Sequence, residues 1–325
     1  MKTYDSTHTW KAINTLLPEG FGISDDVKPV ESYFNWCNSR IHIERFDNPN
    51  SKVKVIMHHG VGTNGRLLSL STGAALARQG LEVIAVDMPM YGMTENNEPV
   101  ITYQDWLDIS LQVIARESKA DDRPIVLYGL SAGGMLAYHV AALEPRVRGV
   151  VGMCFLNLQD ISVKAIISRF PFASLAERMG DMTFRLLAKT PLRGLPVPMK
   201  WVSKMTALTN NKEAQRLLMA DKQSAGASVS IAFIGSVFSY TSKIKPEEFQ
   251  SCPVLLTQPA EDRWTPLSAS RDFYDRLACP KEIVMLPDAG HYPMEARGLK
   301  KMRDAIVQFC ENVSQNNPIT VRGYK

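Results

Sequence analysis

The stretch from Ile125 to Leu143 constrains the fold more than any other part of the chain. It opens with the apolar run Ile125–Tyr128, passes through Gly129-Leu130-Ser131-Ala132-Gly133 and continues into a helix-forming segment at 135–143. The first part is typical of a buried strand and the last part of a helix, so the chain must turn sharply between them. Glycine is required on both sides of Ser131 because a side chain there would strike the neighbouring strand or helix.

Strand and helix patterns alternate along most of the chain. A hairpin is predicted first, from residues 30–37 and 40–46. Further strands are predicted at 53–58, 82–87, 125–129, 147–156, 253–258 and 282–286, and helices at 66–79, 102–119, 132–143, 267–278 and 297–313. This alternation predicts an α/β fold with a mostly parallel sheet, helices on both faces and ligands at the carboxyl ends of the strands.

Two further side chains suited to catalysis follow predicted strands. The strand Val254–Thr257 leads to Asp262, and a later strand leads to His291. A serine on a strand-to-helix turn, then an acid, then a histidine is the chain order of a Ser-Asp-His triad in this type of sheet. An isolated aspartate of this kind could instead cap the next helix, and an isolated histidine could be solvated. The order favours a triad of Ser131, Asp262 and His291, with Glu261 as the alternative acid.

The loop after an early strand supplies a candidate oxyanion hole. The strand 53–57 runs into His58-His59-Gly60-Val61-Gly62. Two backbone N–H groups in a dry site each stabilise a tetrahedral oxyanion by roughly 3 kcal/mol, and we assign them to Val61 and Ala132. The two histidines could suggest a metal site, but adjacent residues of a strand point to opposite sides and no carboxylate lies at ligand spacing. Structural roles are therefore expected for both histidines.

Taken together, these landmarks resemble those of the α/β hydrolases. The matching segments are 59–62 with 65–66, 87–94, 129–134, 262–263 and 290–291. Within that superfamily the chain is most similar to the monoacylglycerol lipase and lysophospholipase-like group, which also contains peptidases. The resemblance covers roughly residues 30–313 outside one insertion. It implies that Asp87 orders its own loop, and the chain departs from the pattern at Met90 and at Pro259-Ala260, where glycine is usual.

That insertion lies between the strands predicted at 147–156 and 253–258. We expect residues 159–250 to form a mainly helical cap over the site, and residues 1–158 and 251–325 to form the core. The cap region contains 13 Lys and Arg against 7 Asp and Glu, a net charge of +6, while the whole chain carries +4. The charges could form a solvated face, or they could attract an anionic or amphiphilic substrate.

Composition excludes several other classes of protein. Hydrophobic residues make up 45% and charged residues 22% of the 325-residue chain, which is typical of a globular protein. We expect no cofactor, metal or nucleic-acid partner, because phosphate-binding loops, dinucleotide-binding turns and basic aromatic motifs are missing from the sequence. No apolar run approaches the ~20 residues of a membrane span, and no secretory signal is recognisable. The five scattered cysteines predict reduced, buried thiols and a cytoplasmic location.

The sequence therefore predicts a serine hydrolase that cleaves a carboxylic ester. His291 would deprotonate Ser131, Asp262 would orient His291, and an acyl-enzyme would form on a small, lipid-like or otherwise hydrophobic acyl substrate. The sequence is compatible with contact between the protein surface and lipid, and it carries no pattern that indicates an oligomeric state. A thioesterase, an amidase or peptidase, a carbon–carbon hydrolase and an acyltransferase could use the same residues. A non-catalytic ligand-binding protein on a hydrolase scaffold is the alternative from a different class.

Overall fold

A single eight-stranded sheet forms the centre of the protein. The structure, a computed structural model, describes residues 2–167, 182–315 and 317. The strands of this sheet are β1 (Val30–Trp36), β2 (Ser39–Phe46), β3 (Lys54–His58), β4 (Glu82–Val86), β5 (Ile125–Leu130), β6 (Val147–Met153), β9 (Val254–Pro259) and β10 (Lys281–Leu286). Two short strands, β7 (Pro196–Pro198) and β8 (Ser228–Ser230), form a separate antiparallel ribbon.

Strand order explains how distant parts of the chain meet. The order across the sheet is β1-β2-β4-β3-β5-β6-β9-β10. The hairpin β1–β2 lies at one edge, β2 pairs antiparallel with β4, and all the remaining pairs are parallel. The carboxyl ends of β3, β5, β9 and β10 therefore meet at one edge of the sheet. This is the mostly parallel architecture that the sequence predicts.

Helices cover the sheet and build the segment between β6 and β9. The longer helices are α1 (His8–Thr15), α4 (Tyr103–Ala120), α5 (Ala132–Ala141), α9 (Lys212–Ala220), α10 (Ile231–Ser239), α11 (Leu267–Arg276) and α12 (Ala296–Ser314). The shorter ones are α2 (Gly65–Leu68), α3 (Ala74–Arg78), α6 (Ile161–Ile167), α7 (182–187) and α8 (Met199–Val202). A π-helical turn, Ser69–Gly73, joins α2 to α3.

Burial of the central strands follows from helices on both faces of the sheet. Helices α3 and α12 pack together, as do α4 and α5, and every residue of β3, β4 and β5 is buried. A parallel sheet covered in this way needs continuous apolar strands, which is why these segments show no alternation of polar and apolar residues.

Predicted and observed strands agree to within a few residues. The largest difference is β6, which ends at Met153 and not at residue 156. Cys154 has φ +70°, outside the extended region, so the strand cannot continue through it. Cys37 also has a positive φ, +48°, and forms the hairpin turn with Asn38. All five cysteines are free thiols; four are buried as predicted, but Cys37 is exposed.

The predicted cap region contains helices α6 to α10 and the ribbon β7–β8, which the sequence patterns do not reveal. Residues 168–181 of this region lie outside the described residues. Helix α10 packs on α4, where the rings of Trp106 and Phe233 lie 4.7 Å apart. Across the part of the chain that the structure describes, no helix is both long and apolar enough to cross a membrane.

Candidate active site

Ser131 lies on a strained turn between β5 and α5. Its backbone has φ +57° and ψ −120°, a conformation that a residue with a side chain rarely adopts. A Cβ atom at Gly129 would collide with the carbonyl of Gly133, and one at Gly133 would collide with the carbonyl of His58. The glycines are therefore required by close backbone approach, as the sequence predicts.

The turn holds the Ser131 side chain at the start of α5 and leaves its hydroxyl unbonded. The backbone N–H of Ser131 donates to the carbonyl of Met153 at 2.7 Å, which fixes the turn against β6. The side chain is buried, and Oγ has no hydrogen-bond partner among the described residues. A buried hydroxyl without a partner is rare, and it is often found at a functional site.

Asp262 and His291 lie next to each other at the ends of neighbouring parallel strands. The loops after β9 and β10 carry them, and Oδ2 of Asp262 lies 2.8 Å from Nδ1 of His291. The other ring nitrogen, Nε2, is buried and has no partner within the described chain. Glu261, the alternative acid, is exposed and makes no hydrogen bond with His291. The geometry thus pairs His291 with Asp262.

The hydrogen bonds of Asp262 keep its carboxylate charged. Its Oδ1 accepts the backbone N–H groups of Trp264 at 2.8 Å and Thr265 at 2.7 Å. Burial alone would raise the pKa of Asp262, but His291 and the bonds from Thr265 outweigh burial and bring the pKa well below its usual value. A charged carboxylate on Nδ1 favours the histidine tautomer whose Nε2 can accept a proton.

Two more residues complete the surroundings of this pair, although the sequence patterns do not single them out. The hydroxyl of Thr265 lies 2.7 Å from Oδ2 of Asp262 and 3.1 Å from Sγ of Cys154. The ring of Trp264 packs on that of His291, with centroids 4.5 Å apart. An aspartate that accepts backbone N–H groups two and three residues on is a turn signal carried by Asp262 itself, so the sequence offers no sign of the Thr265 hydroxyl's role.

Cys154, Asp262 and His291 are also the one group among the described residues with the composition of a metal site. Their possible ligand atoms lie within 4.8 Å of one another. Burial and the neighbouring Asp262 raise the pKa of the Cys154 thiol well above its usual value, so the sulfur keeps its proton. The thiol lies 3.6 Å from Oδ2 of Asp262 as a hydrogen-bond donor. Hydrogen bonding therefore accounts for the proximity of the three side chains.

The loop after β3 passes directly beside Ser131. A Cβ atom at Gly60 would lie 2.7 Å from the carbonyl oxygen of Leu130 and 3.3 Å from the backbone nitrogen of Ala132. Val61, the next residue, lines the same cavity as Ser131 and Ala132. The structure thus brings both predicted oxyanion donors to the side of the serine.

His59 links this loop to the loop after β4. Its Nδ1 donates to the carbonyl of Gly60 at 2.7 Å, and its Nε2 accepts the N–H of Met88 at 2.9 Å. Burial lowers the pKa of His59, which keeps the imidazole neutral and suited to one donor and one acceptor bond. Burial lowers the pKa of His58 to about 3. The structural role predicted for His59 is confirmed.

Asp87 orders the loop after β4, as the sequence predicts. Its carboxylate accepts the N–H groups of Gly65 at 2.6 Å and Met93 at 2.8 Å, and the hydroxyl of Tyr4 at 2.8 Å. Met90 has φ +76°, so it adopts the left-handed conformation that glycine would take more easily. Met90 therefore holds this conformation at the cost of backbone strain.

A cavity of about 600 Å³ opens from Ser131 beneath the predicted cap. Its walls are mostly aliphatic and aromatic, from Val61, Met135, Tyr138, Leu156, Val197, Met199, Trp201, Phe233, Ile234, Val237, Phe238, Tyr240 and Phe273 among others. The charged side chains among its described lining residues are all cationic: Lys164, Lys245 and Arg276. Such a wall suits an apolar ligand, and its described residues offer no carboxylate to a ligand's ammonium group.

Known structures share this architecture. A monoglyceride lipase from Saccharomyces cerevisiae, solved with a substrate analogue, is 16% identical, with a TM-score of 0.68 over 88% of this chain and 96% of its own. A monoacylglycerol lipase from Paleococcus ferrophilus is 20% identical, with a TM-score of 0.63 over 84% and 99%. An esterase from Thermogutta terrifontis is 16% identical, with a TM-score of 0.60 over 88% and 99%. These likenesses support the α/β-hydrolase fold.

Sequence comparison assigns the family. Among curated proteins none matches this chain. The family model for serine aminopeptidase, S33, matches residues 49–295, a span that includes every candidate site residue and more than half of the chain. The chain is therefore an α/β hydrolase that belongs to the serine aminopeptidase S33 family.

Proposed function

We propose that this hydrolase cleaves carboxylic esters that carry an apolar acyl group, with Ser131 as nucleophile. The observation that carries this proposal is the unbonded Ser131 hydroxyl on a strained turn in the wall of an apolar cavity, which is also lined by Trp264, the ring that packs on His291. Residues 159–250 would act as the cap that closes this cavity, and residues 1–158 and 251–325 as the core that carries the catalytic groups.

The proposed reaction has two halves, acylation and deacylation, and both use the same catalytic groups. Nε2 of His291 takes the proton of Ser131 while Oγ attacks the ester carbonyl, and the Asp262 carboxylate offsets the charge on the ring. The N–H groups of Val61 and Ala132 bind the oxyanion. His291 then protonates the departing alcohol, and water releases the acid from the acyl-enzyme by the same steps.

Charge in the cavity favours an ester over an aminopeptidase substrate. An aminopeptidase must hold a free ammonium group, and a carboxylate is the side chain best suited to that task. The described lining residues include no Asp or Glu, while Lys245, which is exposed and forms no ion pair with a described residue, would repel an ammonium group. Two of the structural relatives are a monoglyceride lipase and a monoacylglycerol lipase, which agrees with an apolar acyl ester.

Labelling and turnover together test the proposal. A fluorophosphonate probe should label the wild-type protein and the Ser110→Ala variant, because the Ser110 hydroxyl only bonds to the carbonyl of Trp106 within α4. The Ser131→Ala variant should stay folded, lose labelling and lose roughly 10⁴-fold or more in kcat. Retained turnover in a folded Ser131→Ala protein would contradict the mechanism.

Matched substrates separate the remaining alternatives. We expect p-nitrophenyl esters to improve with chain length until the cavity is filled, and to exceed the thioester and the p-nitroanilide of the same acid in kcat/KM. A higher value for an amino-acid p-nitroanilide would instead favour a peptidase. No labelling and no turnover on any of these compounds would favour a non-catalytic binding protein.

A further inference from the structure

His139 is a polar side chain set into the apolar wall of the cavity. It lies on α5, on the same helix that begins at Ser131, and is only 9% exposed. Its Nδ1 lies 2.8 Å from the hydroxyl of Tyr103, whereas Nε2 bonds to no residue that the structure describes. The proposed reaction assigns no role to this buried imidazole.

Neighbouring aromatic rings restrict the orientation of His139. The ring centroid of Tyr240 lies 4.6 Å away and that of Tyr138 lies 5.4 Å away. Tyr103 is held in turn from the predicted cap, because its backbone N–H donates to the hydroxyl of Ser236 at 2.8 Å. The imidazole is therefore preorganised, and binding a ligand through it would cost little further side-chain entropy.

Hydrogen bonding also fixes which ring nitrogen carries the proton. Burial lowers the pKa of His139 to about 3, so the imidazole is neutral and has one N–H. Burial raises the pKa of Tyr103 well above its usual value, so its hydroxyl keeps its proton. Within the described chain that hydroxyl has one acceptor, Nδ1 of His139. The tautomer that satisfies this O–H within the protein has the O–H donating to Nδ1 and the ring proton on Nε2.

We propose that Nε2–H of His139 is a specificity site, which binds a hydrogen-bond acceptor oxygen within the chain of the substrate. An ether, keto or hydroxyl oxygen would satisfy it. This inference rests on the proposed function, since it names the kind of ester that the Ser131 site prefers. His139 lies eight positions after Ser131, or about 12 Å along the axis of α5, so the oxygen belongs far from the ester carbonyl.

The specificity would come from the free-energy cost of leaving the N–H group of His139 without a hydrogen-bond partner. An unbranched alkyl chain that covers Nε2–H would leave a buried donor without a partner, at a cost of about 1–3 kcal/mol. A chain with an oxygen at the right position avoids that cost. Sites of this kind discriminate more sharply than apolar walls, because the wrong ligand leaves a protein group unpaired.

An oxygen scan along the acyl chain tests the site. The probes are the p-nitrophenyl ester of an unbranched alkanoic acid and its analogues in which an ether oxygen replaces one methylene at successive positions. In the wild-type protein we expect one distal position to raise kcat/KM about tenfold over its neighbours. His139→Phe should abolish that maximum, read as the ratio of kcat/KM for the ether ester to kcat/KM for the alkyl ester, and His139→Gln, which keeps an N–H donor, should retain part of it.

Tyr138→Phe is the matched control, because the Tyr138 hydroxyl donates to the carbonyl of Ile244 at 2.7 Å and is not free for a ligand. This variant should keep the wild-type oxygen profile. A flat profile in the wild type, or the same maximum in His139→Phe, would overturn the proposal. Calorimetry can measure how tightly the Ser131→Ala variant binds the free acids, with and without the ether oxygen. The ratio of these affinities tests the same preference without turnover. The specificity site can therefore fail or hold independently of the esterase proposal.

Discussion

The hydroxyl oxygen of Thr265 lies 2.9 Å from Nδ1 of His291, the ring nitrogen that also contacts Asp262. The same hydroxyl lies 2.7 Å from the Asp262 carboxylate, so all three polar groups share one short network. Thr265 also gives its backbone N–H to that carboxylate at 2.7 Å. Thr265 therefore holds the acid in the position from which it contacts the histidine.

We expect Thr265→Val to lower kcat about tenfold, because it removes one hydrogen bond to a charged carboxylate and keeps the shape of the side chain. Thr265→Ser is the matched control and should retain most of the activity. KM should change little in both variants, since Thr265 does not line the cavity. Equal kcat values for the Val and Ser variants would show that the Thr265 hydroxyl does not contribute to catalysis.

Replacement of Asp262 and of its neighbour Glu261 by their amides, one at a time, tests the assignment of Asp262 as the catalytic acid. We expect Asp262→Asn to lower kcat by roughly 10⁴-fold, because a neutral amide can favour the wrong histidine tautomer. Glu261→Gln should stay within about twofold of wild type, since Glu261 is exposed and its change leaves the bond between Asp262 and His291 intact. The opposite ranking in steady-state assays would transfer the acid's role to Glu261.

The loop beside the serine is sensitive to a single methyl group. In Gly60→Ala the new Cβ would lie 2.7 Å from the carbonyl oxygen of Leu130, so the backbone must shift and would carry the N–H of Val61 with it. We expect kcat to fall about 100-fold, the effect of losing one oxyanion donor. Gly194→Ala, where the nearest atom to the new Cβ lies 3.6 Å away, serves as control. An active, folded Gly60→Ala protein would argue against this oxyanion site.

The placement of Ser131, Asp262 and His291 could be predicted because each follows an apolar strand. The carboxyl ends of parallel strands converge, so a strand pattern, a turn signal and the chain order locate these residues without knowledge of side-chain packing. The glycines of the turn at Ser131 could be predicted for a similar reason. Their role depends on local backbone geometry, which short segments of sequence specify well.

Thr265, Cys154 and His139 could not be located in this way. Cys154 meets Asp262 only because β6 and β9 are neighbours in the sheet, and His139 meets Tyr103 only because α5 packs on α4. Contacts of this kind depend on tertiary packing, which leaves no periodic signal in the sequence. The ribbon β7–β8 was missed because its strands are three residues long and rich in proline and serine.

A buried cluster of charged groups that joins the hairpin strands β1 and β2 to Asp87 predicts how stability depends on pH. Burial opposes protonation of His42, but its hydrogen bonds to Asp87 and Glu31 outweigh burial and raise its pKa to about 9. A histidine with a raised pKa in the folded state stabilises fully below its ordinary pKa near 6.5, and the stabilisation is lost as pH rises through 9. Between these values we therefore expect Tm to fall as pH increases.

Comparison of the wild-type protein with the His42→Gln variant tests whether His42 causes this pH dependence of Tm. The variant should have a lower Tm than wild type at pH 6, and the difference should shrink by pH 9.5, where His42 is neutral in both states. Thermal unfolding at several pH values, followed by circular dichroism, measures the difference. Parallel Tm curves for the two proteins over this range would show that His42 does not titrate as its surroundings imply.

The cations on the cavity wall give the last prediction. Arg276 is engaged by Glu247 at 2.6 Å and by Asp272 at 3.4 Å, whereas Lys245 is exposed and forms no ion pair with a described residue. Lys245 can therefore attract a substrate that carries a negative charge. Such attraction is screened over about 8 Å at physiological ionic strength, so it should act on substrate capture and leave the acylation chemistry unchanged.

We therefore expect kcat/KM for an anionic ester to fall as salt rises, while a neutral ester of equal length changes little. Lys245→Gln should lower kcat/KM for the anionic ester roughly threefold at low salt and flatten its salt dependence. Lys212→Gln, which removes an exposed lysine of α9 that does not line the cavity, should leave both profiles as they are. Identical salt profiles for the two esters in the wild-type protein would mean that the cap's positive charge is only a solvated surface.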